Sequence, residues 1–155
     1  MKKPIDLRQH LVEAVPTLAK DPDKLDIFIE RGAIASRLGG GLSFEYRYDL
    51  VLLFKDYIEH ADTLMIPLLA WIAVHQPALL LNPGSIEQTI KFQAELIDHE
   101  KADIEITLAL TEAVVVVAQP GGGYLATHIP EPALPDLGGE PGWELFVKGL
   151  PLAEL

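Results

Sequence analysis

The residues of this chain that could carry chemistry are five histidines and the acidic side chains near them. One cluster, Asp98-His99-Glu100, contains three potential metal ligands, but adjacent loop residues point apart, and no HExxH pair sets two ligands on one helix face. The remaining histidines are scattered along the chain: His10, His60, His75 and His128. The chain contains no GxSxG or GxGxxG motif and no cysteine. We therefore expect no catalytic residue, no metal and no cofactor, and we interpret the 98–103 segment as a solvated loop.

Three consecutive glycines, Gly39 to Gly41, are reminiscent of a phosphate-binding loop. Such a loop requires a following GK[ST] and the start of a helix. Here a strand pattern follows and no lysine is placed to reach a phosphate. We therefore interpret the glycines as a conformationally flexible connection before that strand.

Composition narrows the class of protein. The chain has 155 residues, 49% hydrophobic and 23% charged, which suits one domain with a substantial core. Acids outnumber bases 23 to 12, and the net charge of -11 argues against non-specific nucleic-acid binding, which depends on Lys and Arg. The absence of cysteine agrees with a reducing cytoplasm. We expect no signal peptide, because the N-terminus lacks an apolar region, and no membrane span, because prolines and polar residues interrupt the apolar run 64–81.

The sequence is organised around a long β-strand predicted from Leu42 to Lys55. Apolar and aromatic residues alternate strictly with the others, which is the period of a strand. One face must therefore be covered, while the other carries Glu45, Arg47 and Asp49 in its first half. A strand of this length exceeds the usual five or six residues, so we expect it to cross the whole sheet or to project beyond it.

Further alternating runs predict strands at 25–31, 90–97 and 104–111, with a short run at 113–118 that returns at 124–129. Asp6 is placed to cap a helix over 7–15, with His10 exposed, and Asp62 or Thr63 to cap a second helix to about Val74. Pro67 is tolerable only in the first turn of that helix. The fold class is α+β, with an antiparallel or mixed sheet of two hairpins (about four main strands), two packed helices and a small C-terminal β arm.

The predicted domain organisation is a single α+β domain over residues 1–129. Prolines and glycines make 130–142 a linker. Residues 143–155 form a C-terminal arm too short to fold alone, which we expect to dock on its own body or on a neighbour, with strand addition to a sheet edge as the obvious means.

Aromatic residues and arginine dominate interface energies, so the candidate interface residues are exposed or displaced members of these types and their charged neighbours. They lie on the outward strand faces, on the apolar second helix and in the arm: Phe28, Glu45, Arg47, Asp49, Trp71, Trp143 and Phe146. For each, an ordinary place in the core or on the surface is an equally good interpretation, above all for Trp71.

Several segments, in order and with similar spacing, resemble the tail completion protein R family of contractile-tailed phages and their prophages. The most distinctive are LSFEYRY (42–48) and IPLLAW (66–71). The others are LRQHLVEAV, DPDKLDIFIERG, the rest of IASRLGGGLSFEYRY and DTLMIPLLAWIAVHQP, TLALTE and WELFVKG. The chain after Gly121 matches less clearly.

The resemblance implies a structural, non-enzymatic virion protein, assembled in the bacterial cytoplasm, that completes the tail at its head-proximal end. It implies self-association into a hexameric ring, and contacts with the tail tube, the sheath protein and the head-tail connector, without specific nucleic-acid or membrane binding. Two alternatives stay open. One is a transient assembly adaptor or chaperone that is not retained in the virion, and the other is a small hydrolase.

Overall fold

The computed structural model describes residues 1–36, 39, 41–81 and 90–132. Most of the predicted linker, together with Trp143 and Phe146 of the predicted arm, lies outside the described residues.

Within the described residues, two long helices and two short ones pack with five strands, in an order close to the sequence prediction. In chain order they are α1 (Lys3–Ala14), α2 (Pro16–Lys20), a 3-10 turn (Pro22–Lys24), β1 (Leu25–Ser36), β2 (Phe44–Tyr57), α3 (Asp62–His75), α4 (Ala78–Leu81), β3 (Ile90–Leu96), β4 (Ala102–Ala118) and β5 (Tyr124–Ile129). The α+β class is thereby confirmed.

The strands form one sheet in the order β1-β2-β4-β3, with β5 also paired to β4, and every described pairing is antiparallel. β2 pairs with β4 along almost its whole length. β3 and β5 both pair with the edge of β4 that faces away from β2. β3 pairs with residues 102–108 of β4, and β5 pairs with residues 113–118 of β4. The strands β5 and β3 therefore follow one another along a single edge of β4, running in the same direction.

The core lies between one face of the sheet and the helices. In β2 the predicted apolar face is buried at Leu50, Leu52 and Phe54, which are at most 1% exposed. Their partners in β4 and the helices are also buried: Leu7, Leu11, Leu18, Leu64, Leu68, Ile72, Ile106 and Leu108. The period-two pattern of β2 thus identified the covered face correctly.

The predicted strands are shorter than the observed ones at two places. β1 continues past Arg31 to Ser36, with an irregularity in register between Ile29 and Arg31. The runs predicted separately at 104–111 and 113–118 form a single strand, β4, of 17 residues.

Four helix details also differ from the prediction, and one is that neither Asp62 nor Thr63 caps α3, whose N-cap is Ala61. Asp6 lies inside the first turn of α1 and makes no cap, and His10 is half-buried with Nε2 2.8 Å from the carbonyl oxygen of Pro67. Pro67 is the sixth residue of α3, beyond the first turn, so its expected position was wrong. A proline there removes one intrahelical hydrogen bond. None of the described helices reaches the length and apolarity that a membrane crossing demands.

Candidate functional site

Four of the seven candidate interface residues lie on one surface, which we name the open face. It is the face of the sheet directed away from the helices, and on β2 it carries Val51, Asp49, Arg47 and Glu45. Strand register places Phe28 beside Val51, and Arg47 and Glu45 follow Asp49 along β2 on that face. The Phe28 side chain is 47% exposed there, which is unusual for a residue of its size. The alternation in the sequence therefore predicted correctly that these four residues lie on the outward face of the sheet.

Ion pairs cover the open face. Arg31 Nε lies 3.4 Å from Asp49 Oδ2, and Arg47 Nε lies 2.6 Å from Glu45 Oε1. At one end, Lys55 Nζ lies 2.9 Å from Asp26 Oδ2. Exposed pairs of this kind contribute roughly 0–1 kcal/mol to stability. Their value to a docking surface is different, because alternating charges fix the orientation and register of a partner.

A second exposed surface is the projecting ribbon, defined as residues 113–118 of β4 and 124–129 of β5. Buried positions in β4 stop at Val114, so the ribbon extends beyond the helix layer. Its open-face side carries Val117, 52% exposed, directly paired with Leu125, 55% exposed. On its other side, Tyr124 is 66% exposed. A ribbon with exposed apolar side chains on both faces has the composition of a contact surface.

Three glycines make the tight turn at the tip of the ribbon. Gly121, Gly122 and Gly123 have φ values of 91, 106 and 82°, in the region that favours glycine. The ribbon is therefore closed by a backbone conformation that few other residues adopt without strain.

Glu112 fixes the root of the ribbon to the helix layer. It lies on the apolar side of β4 and is only 4% exposed. Its Oε2 accepts a hydrogen bond from the backbone N–H of Lys2 at 2.9 Å, and its Oε1 accepts one from the N–H of Lys3 at 3.1 Å and one from the Tyr48 hydroxyl at 2.5 Å. The carboxylate thereby satisfies free N–H groups at the start of α1 and sits at the favourable end of the helix dipole. His128 Nδ1, from β5, lies 3.0 Å from Oε2 at ion-pair distance, without the geometry of a hydrogen bond.

Burial and hydrogen bonding act in opposite directions on Glu112. Burial by itself raises the pKa of the carboxyl group, but the bonds from Lys2, Tyr48 and Lys3 outweigh it, and the net pKa is lowered. For Tyr48, burial first and the Glu112 carboxylate second raise the pKa of the hydroxyl. At neutral pH the pair therefore consists of an ionised carboxylate and a protonated phenol.

Trp71 lies in the interior of the fold. It is 2% exposed, its indole Nε1 donates to Asp6 Oδ2 at 2.7 Å, and its ring stacks on His75 with 4.6 Å between centroids. Asp6 Oδ2 is also 3.3 Å from His75 Nε2. These contacts join α1 to α3, so the side chain contributes to the packing of the helix layer.

Glu112 was not recognised from the sequence. It continues the alternating series Ile104, Ile106, Leu108 and Leu110, so the period of two places it on the buried face. A buried acid needs hydrogen-bond donors around it, so the position of Glu112 in this series could have indicated a buried polar site. Within the described ranges, no three His, Asp or Glu side chains meet in an arrangement that could hold a metal ion.

The chain is similar to phage tail proteins. The family model described as P2 phage tail completion protein R (GpR) matches residues 1–132. The chain is 36% identical over 149 residues to the tail completion protein R of Escherichia phage P2, covering 96% of this chain and 95% of that protein. No solved structure matches significantly.

Proposed function

The chain belongs to the P2 phage tail completion protein R family, a family of structural phage tail proteins, and from this premise we propose that it completes the tail tube at its head-proximal end. In this role it stops polymerisation of the tube and prepares the tail for joining to the head. Its partners are other copies of itself, the last ring of the tail tube, the sheath protein and a head-tail connector protein. It acts in the virion after assembly in the bacterial cytoplasm.

The observation that carries this proposal is the projecting ribbon. Val117, Leu125 and Tyr124 are more than half exposed and lie on both faces of a two-stranded projection. A subunit that stands alone gains nothing from such a surface, whereas a subunit in an assembly buries it.

Phe28 and the tip of the ribbon lie far apart on the sheet, because Phe28 pairs with Val51 whereas β2 meets the ribbon only at its other end, where Glu45 pairs with Ala113. Two separated contact regions suit a ring. When a surface on one copy contacts a different surface on the next copy, the contact is heterologous, and it closes into a ring if the rotation permits. We propose that the ring is hexameric. Phe28 is the apolar anchor of the open face in this arrangement, and Glu45, Arg47 and Asp49 set the register of its neighbour.

A transient adaptor or chaperone of tail assembly would use the same exposed surfaces. It differs in being absent from the finished particle, so protein mass spectrometry of purified particles separates the two functions.

Inactivation of the gene, followed by electron microscopy of lysates, tests the proposal. We expect overlong or unfinished tubes, or separate heads and tails, and restoration by a plasmid copy. Tails of normal length joined to heads would contradict a completion role. The open face is tested in the same assay by Phe28→Ser, with Gln9→Ser on the exposed side of α1 as the control. We expect the first variant to fail to restore particles and the second to restore them.

A further inference from the structure

β3 carries an apolar row that the helices leave uncovered. Ile90, Phe92, Ala94 and Leu96 face the same side as the core residues of β4, because each pairs directly across with a residue in the series Leu108, Ile106, Ile104 and Ala102. Ile90 packs partly against the core. Phe92, however, is 69% exposed and Leu96 is 80% exposed. Two large side chains on the core side of the sheet therefore have no cover among the described residues.

Strand order shows in which direction the end of β5 points. Because β5 and β3 run in the same direction along one edge of β4, the end of β5 at Ile129, opposite Ala113, points towards the start of β3 at Ile90, opposite Leu108. The end of β5 is thus directed along the line that β3 occupies.

The residues just after β5 lie on the helix side of the sheet. Glu131 Oε1 is 2.9 Å from Lys3 Nζ, at the start of α1, and the same nitrogen donates to Gln76 Oε1 at 2.7 Å at the end of α3. A chain that continues in its direction from this point passes over the apolar side of β3 and not over the open face.

The length and composition of the remaining chain fit this path. Phe92 pairs seven positions along β4 from Ala113, or roughly 23 Å at the usual rise of a strand. The ten residues from 133 to 142 can span up to ~33 Å, which is enough to reach it. Beyond them the sequence is rich in apolar residues: Trp143, Leu145, Phe146, Val147, Leu150 and Leu152.

We propose that the C-terminal segment, residues 143–152, docks on the apolar row of β3 in its own chain and covers Phe92 and Leu96. Tethering through a short linker gives the segment an effective concentration in the millimolar range, which favours its own subunit over a second copy. The proposal does not depend on tail completion, so it can fail while that function stands.

The absence of cysteine from the chain permits a clean cross-linking test in the full-length protein. Val147→Cys is combined either with Ala94→Cys, on the apolar row, or with Gln93→Cys, the adjacent residue on the opposite face of β3. Because disulfides form only at Cα separations of about 4.4–6.8 Å, the face of β3 decides the outcome. After mild oxidation of dilute protein, we expect intrachain disulfide to form at least ~10-fold faster with Ala94→Cys. Equal rates, no disulfide from either pair, or disulfides only between chains would overturn the proposal, and the last result would assign the row to a second copy.

A cysteine-free measurement gives an independent test. Lys148 lies inside the docking segment, so its cleavage by a lysine-specific protease reports whether the segment is covered. We expect Phe92→Ser to accelerate this cleavage several-fold and Gln93→Ser to leave it unchanged. The same cleavage rate in both variants would contradict docking on the row.

Discussion

The hydroxyl of Tyr48 in β2 donates a 2.5 Å hydrogen bond to the Glu112 carboxylate in β4, and both side chains are at most 5% exposed. The same carboxylate receives the backbone N–H groups of Lys2 and Lys3. One acidic residue therefore joins the central strands, the first helix and the root of the projecting ribbon.

Replacement of Glu112 by alanine should destabilise the fold strongly. Two backbone donors and the Tyr48 hydroxyl would lose their buried acceptor, and we expect the free energy of unfolding to fall by ~3 kcal/mol. Urea denaturation measures this value. Glu105→Ala, on the open face of the same strand, is the matched control, with an expected change within ~0.5 kcal/mol. Equal effects of the two substitutions would contradict the anchoring role.

The free energy of unfolding should depend on pH through Glu112. Its pKa in the folded state is lowered below the ordinary value of 4.5, so the unfolded chain binds the proton more readily. The contribution of the ionised group is therefore complete above about pH 4.5 and is lost as the pH falls towards the lowered folded-state pKa. We expect Glu112→Gln to flatten the decline of the urea midpoint below pH 4.5. An unchanged decline in this variant would show that other carboxyl groups control it.

Asp6 should stabilise the packing of α1 on α3. Asp6→Ala leaves the buried Trp71 indole N–H without its acceptor, and we expect a loss of ~1–2 kcal/mol in the free energy of unfolding. Glu13→Ala serves as the control, because Glu13 is exposed and accepts a hydrogen bond from Gln9 on the same helix. Its effect should stay within ~0.5 kcal/mol. Thermal unfolding followed by circular dichroism gives both values, and a small effect of Asp6→Ala would contradict the assignment.

The ribbon should matter for assembly and little for folding. The double substitution Val117→Glu with Leu125→Lys makes one ribbon face polar and places opposite charges directly across the hairpin, which preserves the cross-strand contact. We expect the free energy of unfolding to change by less than ~1 kcal/mol. We also expect that a plasmid copy with these substitutions no longer restores particles when the gene is inactivated. The control is Gln9→Glu with Glu13→Lys, a favourable i, i+4 pair on exposed α1. Normal particles from the ribbon variant would remove the ribbon from the assembly interface.

Strong local periodicity was sufficient to predict β2, its buried face and the placement of Phe28, Glu45, Arg47 and Asp49 on one surface. These features depend on the alternation of side chains along a single strand, which the sequence displays directly. A helix over 7–15 was also predicted, and Leu7 and Leu11 of α1 are fully buried.

The continuity of β4 was not predicted. Glu112 is a charged residue at a position where the apolar residues of the alternating series would otherwise continue, so the strand seemed to end before it. Its compensating hydrogen bonds come from Lys2 and Lys3, about 110 positions earlier in the sequence. Hydrogen-bond donors so distant in the sequence cannot be identified from the residues next to Glu112. The position of Pro67 was also predicted wrongly, because α3 keeps its helical form around the proline as a helix buried on several sides.

The most direct test of tail completion is the position of the protein in purified particles. Antibodies raised against the full-length protein, observed by electron microscopy on intact virions and free tails, locate it, and quantitative mass spectrometry counts its copies. We expect label at the head-proximal end of the tail only, with about six copies per particle, since one closed ring is proposed. Label along the whole tube, label at the distal end, or absence from the particle would contradict it.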